Sequence, residues 1–302
     1  MTSKTSAPPI SVLVTGSSLG FGHLTARTLA SQGHRVYATM REINGRNAAK
    51  AKELTHWAAS SGCELEVIEM DVGDNASVNR AVASILGSNR QIDAVVNNAG
   101  ISASGPLEAF SERQVELIYN VNCLGQLRVA RAVLPHMRER RTGLLIHLSS
   151  TLGRVLPYMG GLYPATKWAV EGMAESLHYE LEPFGIDVVI LEPGAFPTTA
   201  VARGIRPENE AVAADYANAV PLLEETLNPA PPPDYRLPDL QEVADEVARL
   251  VSLPRGDRPL RCVVGPIFTE GVAAYNARYE AARDALRAAL ARPDQAITWV
   301  GG

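Results

Sequence analysis

Short runs of β-branched and aliphatic residues alternate with longer stretches whose apolar positions recur every three or four residues. I-S-V-L-V-T (10–15), R-V-Y-A-T-M (35–40), E-L-E-V-I-E-M (64–70), I-D-A-V-V-N (92–97), G-L-L-I-H-L (143–148) and I-D-V-V-I-L (186–191) predict six strands. Most are almost wholly apolar, as strands covered by helices on both faces must be. Helical patterns near 20–32, 44–61, 75–87, 111–139 and 161–183 lie between them. Gly33, Gly87 and Gly185 stand where left-handed caps are needed. Right-handed crossovers fold such units into an α/β, doubly wound Rossmann-type sheet, mainly parallel, with helices on both faces.

The alternation stops after Leu191. Residues 194–238 begin beside Pro193 and Pro197 and end near P-A-P-P-P (229–233), and their apolar residues follow no clear period. A connection this long predicts a functional lid or a disordered insertion. A helix near 239–253, a seventh strand in R-C-V-V-G and an Ala/Arg-rich helix near 270–291 follow. The predicted organisation is a flexible segment over 1–9, one catalytic domain over 10–268 that includes the 194–238 loop, and a C-terminal helix and tail over 269–302 belonging to the same domain. The 302 residues, 46% hydrophobic and 20% charged, suit a globular chain with one large core.

Charge narrows the partners. A formal net charge of -5 gives no general attraction to polyanions, so nucleic acid is not expected and any anionic ligand must be caught locally. No apolar run reaches the length of a signal peptide core or a bilayer span, so a cytoplasmic protein with no membrane partner is expected. Cys63, Cys123 and Cys262 are far apart, and the six histidines lack metal-ligand spacing. No metal is predicted. His147 reads as a sheet-face histidine, and Trp168 as either a core or a helix-contact residue.

Candidate chemistry begins directly after the first strand. T-G-S-S-L-G-F-G (15–22) places Gly16, Ser18, Gly20, Phe21 and Gly22 before a helical run, where glycine permits positive φ and lets backbone N–H groups approach a pyrophosphate at a helix N-terminus. Without that context the motif would be only a tight turn. At the end of the second strand an acidic residue would read the ribose 2′-hydroxyl of NAD, and a basic one the 2′-phosphate of NADP. Arg41 stands there and favours NADP, with NAD as the alternative. Asp71, followed by Val72, ends the third strand; it accepts from adenine or caps the helix that starts near Asn75.

L-S-S-T-L-G-R-V-L-P-Y-M-G-G-L-Y-P-A-T-K (148–167) carries the reacting groups. Tyr163 and Lys167 are four apart and share a helix face. Carbonyl reduction requires hydride at carbon and a proton at oxygen, and a nearby ammonium lowers the phenol pKa toward a usable acid/base. Ser150, or Ser149 beside it, leaves the carboxyl end of the fifth strand, where ligands of open α/β sheets collect. Taken singly, each has an ordinary reading: a lysine stem packed on a tyrosine ring, and a serine at a strand end. Leu152, Leu156, Met159 and Leu162 near the tyrosine suggest an apolar or aromatic substrate.

Together with N-N-A-G (97–100), V-N-C-L-G (121–125) and P-G-A-F-P-T (193–198), these motifs resemble the short-chain dehydrogenase/reductase family in order and spacing over residues 10 to about 199. The resemblance implies that Ser150, Tyr163, Lys167 and Asn122 are catalytic, Asn122 through a water joined to Lys167. It implies that Asn98, Ala99 and Gly100 line the cofactor cleft, that Lys167 and Tyr163 touch the nicotinamide ribose, and that Pro193, Gly194 and Thr198 contact the carboxamide side. Phe21 and Thr166 depart from the usual residues without removing a reacting atom. The apolar character resembles the hydroxysteroid and retinol dehydrogenase branch. A small carbonyl or alcohol as substrate, and a homodimer or homotetramer, follow as expectations. The competing readings are a dinucleotide-binding regulator or scaffold without turnover, which need not keep Ser150, Tyr163 and Lys167 together, and an epimerase or dehydratase on the same fold.

Overall fold

The computed structural model describes residues 8–88, 90–156, 160–196, 203–216, 238–266 and 268–290. Seven strands lie among the described residues: β1 (Ser11–Val14), β2 (Arg35–Met40), β3 (Leu65–Glu69), β4 (Ala94–Asn97), β5 (Gly143–Leu148), β6 (Ile186–Pro193) and β7 (Arg261–Val264). They form one sheet in the order β3-β2-β1-β4-β5-β6-β7, and every pairing is parallel. The helices are α1 (Gly20–Ser31), α2 (Ala48–Ser61), α3 (Asn75–Leu86), α4 (Glu112–Tyr119), α5 (Gly125–Arg140), α6 (Leu162–Leu181), α7 (Glu210–Asp215), α8 (Gln241–Ser252) and α9 (Thr269–Leu290).

Side chains alternate across the sheet, so one core forms on each face. Val12, Val14, Val36, Ile146 and Val189 pack with α1, α2 and α8. Leu13, Tyr37, Val95, Leu145 and Ile190 pack with α3, α5 and α6. The strand order reverses between β1 and β4, and there the two halves of the sheet open a crevice at their carboxyl ends.

Several boundaries differ from expectation. The helix predicted over 111–139 begins with a capping box, in which Ser111 Oγ accepts from Gln114 N and the Gln114 side chain accepts from Ser111 N. It is then interrupted by a π-helical turn at Asn120–Leu124. Hydrophobic periodicity does not reveal one inserted residue when both flanking halves are amphipathic. Gly33 and Gly185 adopt the expected left-handed conformation, but Gly87 is right-handed at φ -65°. The left-handed cap of α2 is Gly62, at φ +65°. Asp74, not Asp71, caps α3, accepting from Ala76 N. Part of the 194–238 connection is structured: Ile205 bridges Ala103, and α7 follows. No helix among the described residues is long and apolar enough to cross a membrane, and they contain no cluster of metal-binding side chains.

Candidate active site

The Gly-rich turn joins β1 to α1 by direct backbone contact. Gly16 lies at φ +71°, and a Cβ there would come within 2.9 Å of Ala99 Cα. A Cβ on Gly22 would lie 2.3 Å from Asn98 Nδ2 and 2.5 Å from the Gly16 carbonyl. The N-N-A-G segment is thus sewn to the turn: Asn98 Nδ2 donates to the Thr15 carbonyl at 2.7 Å, and the Asn98 and Ala99 amides both donate to Thr15 Oγ1 at 3.0 Å. Thr15, the residue that organises this junction, was not singled out in the sequence; its signal was its place between the strand and the first glycine.

The N-terminus of α1 has no side-chain cap and no acidic residue in its first turn, so its amide dipoles face an open groove beside Ser18, Gly20 and His23. That chemistry fits a pyrophosphate. Around the corner, Arg41 Nη1 lies 4.0 Å from Asp71 Oδ2, both about two-fifths exposed. Glu42 is turned aside at φ +54° and paired with Arg46 at 3.2 Å. An arginine therefore occupies the edge of the crevice with the nearest carboxylate of its own strand end tied elsewhere. Asp71 Oδ1 accepts from Gly73 N at 2.8 Å, which fixes its carboxylate. Val72 is buried against Gly125, whose added Cβ would meet Val72 Cγ2 at 3.0 Å. Phe21 stands edge-on to Phe196, ring centres 5.3 Å apart, closing the turn against the chain that leaves β6.

Ser150 caps the short 3-10 turn at Thr151–Gly153, accepting from Leu152 N at 3.2 Å. Its hydroxyl lies 3.5 Å from the Pro193 carbonyl and is near enough to the Tyr163 phenol to oppose the rise in that group's pKa. Ser149, the alternative, is buried and its Oγ has no partner among the described residues. Lys167 follows Tyr163 by one turn of α6, its Nζ 5.6 Å from the centre of the tyrosine ring. Nζ donates to the Leu148 carbonyl at 2.7 Å. Burial pushes the Lys167 ammonium down to about 8. Burial also pushes the Tyr163 phenol up to about 12, with the Ser150 hydroxyl opposing the rise. In this arrangement burial outweighs the Ser150 hydroxyl in setting the phenol, and the Lys167 ammonium is bonded to the Leu148 carbonyl.

Asn122 sits in the π-turn. Its Oδ1 accepts from Ile101 N at 2.8 Å, and its Nδ2 donates to the Ile101 carbonyl and to Thr166 Oγ1 at 2.9 and 3.0 Å. Thr166 Oγ1 donates in turn to the Tyr163 carbonyl at 2.7 Å. Gly100 makes room for it: a Cβ there would lie 3.3 Å from Asn122 Oδ1. Asn122 therefore braces the start of α6, and no direct contact joins it to Lys167.

Of the apolar candidates, Leu152 is half-buried and Leu156 is 64% exposed, whereas Leu162 is buried with Phe110 and Ile118. Met159 and Thr198 lie outside the described residues, while Pro193 and Gly194 end β6 next to Ser150. Trp168 is 40% exposed, not core. His147 is a buried sheet-face residue, its Nδ1 2.8 Å from Gln126 Oε1, with its basicity depressed to about 4 by burial.

A doubly wound parallel sheet with a glycine-clamped turn at its switch point and a serine, tyrosine and lysine beside the same crevice defines a dinucleotide-dependent class of enzyme fold. The sequence profile of the short chain dehydrogenases matches residues 11–210, and the chain belongs to that family. It is 33% identical over 265 residues to a 3-ketodihydrosphingosine reductase of Bacteroides thetaiotaomicron, covering 86% of this chain and 89% of that protein. It is 38% identical over 197 residues to the mouse 17-beta-hydroxysteroid dehydrogenase type 1, covering 63% of this chain and 55% of the mouse protein, so it spans about half of that relative. Among solved structures, an alcohol dehydrogenase of the archaeon Thermococcus sibiricus complexed with 5-hydroxy-NADP superposes with a TM-score of 0.68 at 26% identity, over 85% of this chain and 96% of that one.

Proposed function

We propose that the protein interconverts a carbonyl and an alcohol on a small apolar substrate by hydride transfer with NADP. The observation that carries this reading is that Tyr163 and Lys167 lie one turn apart on α6, the Lys167 ammonium 5.6 Å from the tyrosine ring centre, with Ser150 at the end of β5 near enough to influence the phenol. A nicotinamide dinucleotide supplies or takes the hydride when bound. Gly16, Ser18, Gly20, Phe21 and Gly22 would hold its pyrophosphate, Arg41 and Asp71 with Val72 its adenosine end, Asn98, Ala99 and Gly100 the cleft wall, and Pro193 and Gly194 the nicotinamide side.

Ser150 orients the substrate oxygen and Tyr163 delivers or removes its proton. The protonated phenol donates to a developing alkoxide in reduction, and the phenolate takes the proton in oxidation. Lys167 holds the ribose side and, when charged, eases the loss of the phenolic proton; Asn122 fixes the backbone at the start of α6. Leu152 and the exposed Leu156 favour an apolar substrate. The relatives' names set the first panel: 3-ketodihydrosphingosine, a 17-ketosteroid and retinaldehyde. Exposed Leu117, Leu124 and Trp168 along α4 to α6 support a dimer or tetramer.

Fluorescence titration with NADPH and with NADH, followed by that panel, tests the reading. Saturable binding and turnover of at least one carbonyl are expected. Binding without turnover of any member would favour the regulator reading. Arg41→Asp is expected to shift the NADPH/NADH preference by roughly tenfold or more toward NADH, about one charge-assisted bond to phosphate; an unchanged ratio removes Arg41 from the 2′-phosphate site.

A further inference from the structure

Behind Ser150, on the side away from the nucleotide crevice, five ionisable side chains are buried together. Arg154, Arg261, Glu171, Glu175 and Glu192 have side-chain exposures of 5%, 2%, 3%, 10% and 0%. They come from four elements: the turn after β5, β7, α6 and β6. The helix α9 covers them. Asn276 accepts from Arg154 Nε at 2.8 Å and donates to Glu192 Oε2 at 2.5 Å. Tyr275 and Tyr279 of the same helix lie over the Arg154 guanidinium, 4.7 and 4.6 Å from ring centre to Cζ.

Charge counting is informative because these groups are almost wholly withdrawn from water. Arg261 binds Glu171 at 3.0 Å and Glu175 at 2.6 Å, and Glu175 also accepts from the Tyr179 and Tyr279 hydroxyls. Glu192 has only longer approaches, at 3.7 Å to Arg261 and 4.0 Å to Arg154. Lys167 is influenced by the Glu171 charge, but its ammonium is bonded to the Leu148 carbonyl and forms no ion pair within 4.0 Å among the described residues. Three carboxyls thus face two guanidiniums. Glu171 and Glu192 are in hydrogen-bonding reach of each other, and the Oε1 of each lacks a partner among the described residues. One proton shared between those two oxygens satisfies both and removes the excess charge. Gly153 completes the fit, because a Cβ there would come within 2.6 Å of Ser149 Oγ and 3.3 Å of Glu171 Oε1.

We infer that Glu192 is a positioning residue: as a neutral carboxylic acid it joins Asn276 of α9 to Glu171 of the tyrosine-bearing helix, and with Arg154 it clamps α9 against the turn that carries Ser150. The inference rests on the proposed reaction for its catalytic meaning, but not for the clamp itself. Arg154 follows Ser150 by four residues, and its amide closes that same turn on the Thr151 carbonyl. The groups packed around the Glu192–Glu171 pair are Glu175 and Lys167 from α6, Arg154 from the turn after β5, Arg261 from β7, and Asn276 and Tyr279 from α9. Burial and the Glu171 carboxylate raise the Glu192 pKa from 4.5 to about 9. A carboxyl raised on folding stabilises fully below its ordinary value, and that stabilisation is lost as pH rises through its folded value.

The test uses the full chain with Glu192→Gln, Glu192→Ala and Asn276→Ala. Glu192→Gln mimics the neutral acid, so its unfolding midpoint should gain on the wild type steadily from about pH 5 to about pH 9. A constant offset across that range would overturn the neutral acid. Asn276→Ala should speed hydrogen exchange at the amides of Leu152, Gly153 and Arg154. Exchange that rises only within α9 would overturn the clamp. With the carbonyl that wild type reduces best, Glu192→Ala and Asn276→Ala should lower kcat on the order of tenfold to a hundredfold with NADPH affinity unchanged, and Glu192→Gln should restore it. Unaltered kcat in both alanine variants would overturn the positioning role. If wild type reduces no carbonyl, the proposed reaction fails, while the exchange and pH arms still decide the clamp.

Discussion

The two sides of the catalytic crevice are built by opposite means. On the nucleotide side the contacts are close and short: Gly16 against the Ala99 backbone, Gly22 against the Gly16 carbonyl and the Asn98 side-chain amide, with the Thr15 hydroxyl satisfying the backbone amides between them. On the side of β6, β7 and α9, the contacts are long charged side chains withdrawn from water. The first kind of contact depends on the absence of atoms and tolerates no addition. The second depends on charge and proton balance, and fails when one member is removed. Binding and chemistry are therefore sensitive to different substitutions, although they meet within one crevice.

Tyr163→Phe separates the two sides most sharply. Turnover should fall by about 10²–10⁴-fold, the usual worth of a general acid/base, while NADPH titration gives a near wild-type Kd. A variant that keeps full activity would remove the phenol from the reaction. Arg261→Met comes next: with Glu171 and Glu175 left unpaired, a loss of about 3–5 kcal/mol is expected in denaturant melts. Retained stability would mean that these carboxyls take up protons at little cost. Gly22→Ala should weaken NADPH binding and cost about 1–3 kcal/mol, as overpacking does, because the new methyl meets the Asn98 amide and the Gly16 carbonyl. If only stability changed, the turn would be structural and the pyrophosphate would bind elsewhere. The smallest effect should come from Arg35→Gln. Its pair with Glu64 is about half exposed, so urea melts should differ by less than about 0.5 kcal/mol. A larger loss would show that surface charge matters more here than the contrast between buried sides allows.

The nucleotide side was legible because its constraints are local. β2 and β5 coincide with the runs R-V-Y-A-T-M and G-L-L-I-H-L, and each glycine that must approach backbone stands within a few residues of the strand it follows. Arg41 and Asp71 were readable from their places at adjacent strand ends, and the structure sets them side by side. The charged side was not readable. Arg154 and Asn276 are 122 residues apart and Asn276 and Glu192 are 84 apart, and no period in the sequence brings them together. Asn122 was found by its motif, but its bonds to Ile101 and Thr166 depend on the π-turn, which hydrophobic spacing conceals. The upward push on the Tyr163 phenol is likewise not legible along the helix, because burial comes from the surrounding fold and not from the four-residue spacing to Lys167.

The π-turn at Asn120–Leu124 also sets a rule of length. A regular helix advances about 100° per residue, so one surplus residue lets α4 and α5 present faces in two different registers. Ile118, before the turn, packs with Phe110 and Leu162, whereas Val129, Val133 and Met137, after it, pack against the sheet. Removing a single residue between 120 and 124 would straighten the helix and rotate one of these stripes into solvent, even if every remaining side chain were kept. At this place the spacing between residues is as much an inherited trait as their identity, and a gap of one there would be felt more than many substitutions elsewhere.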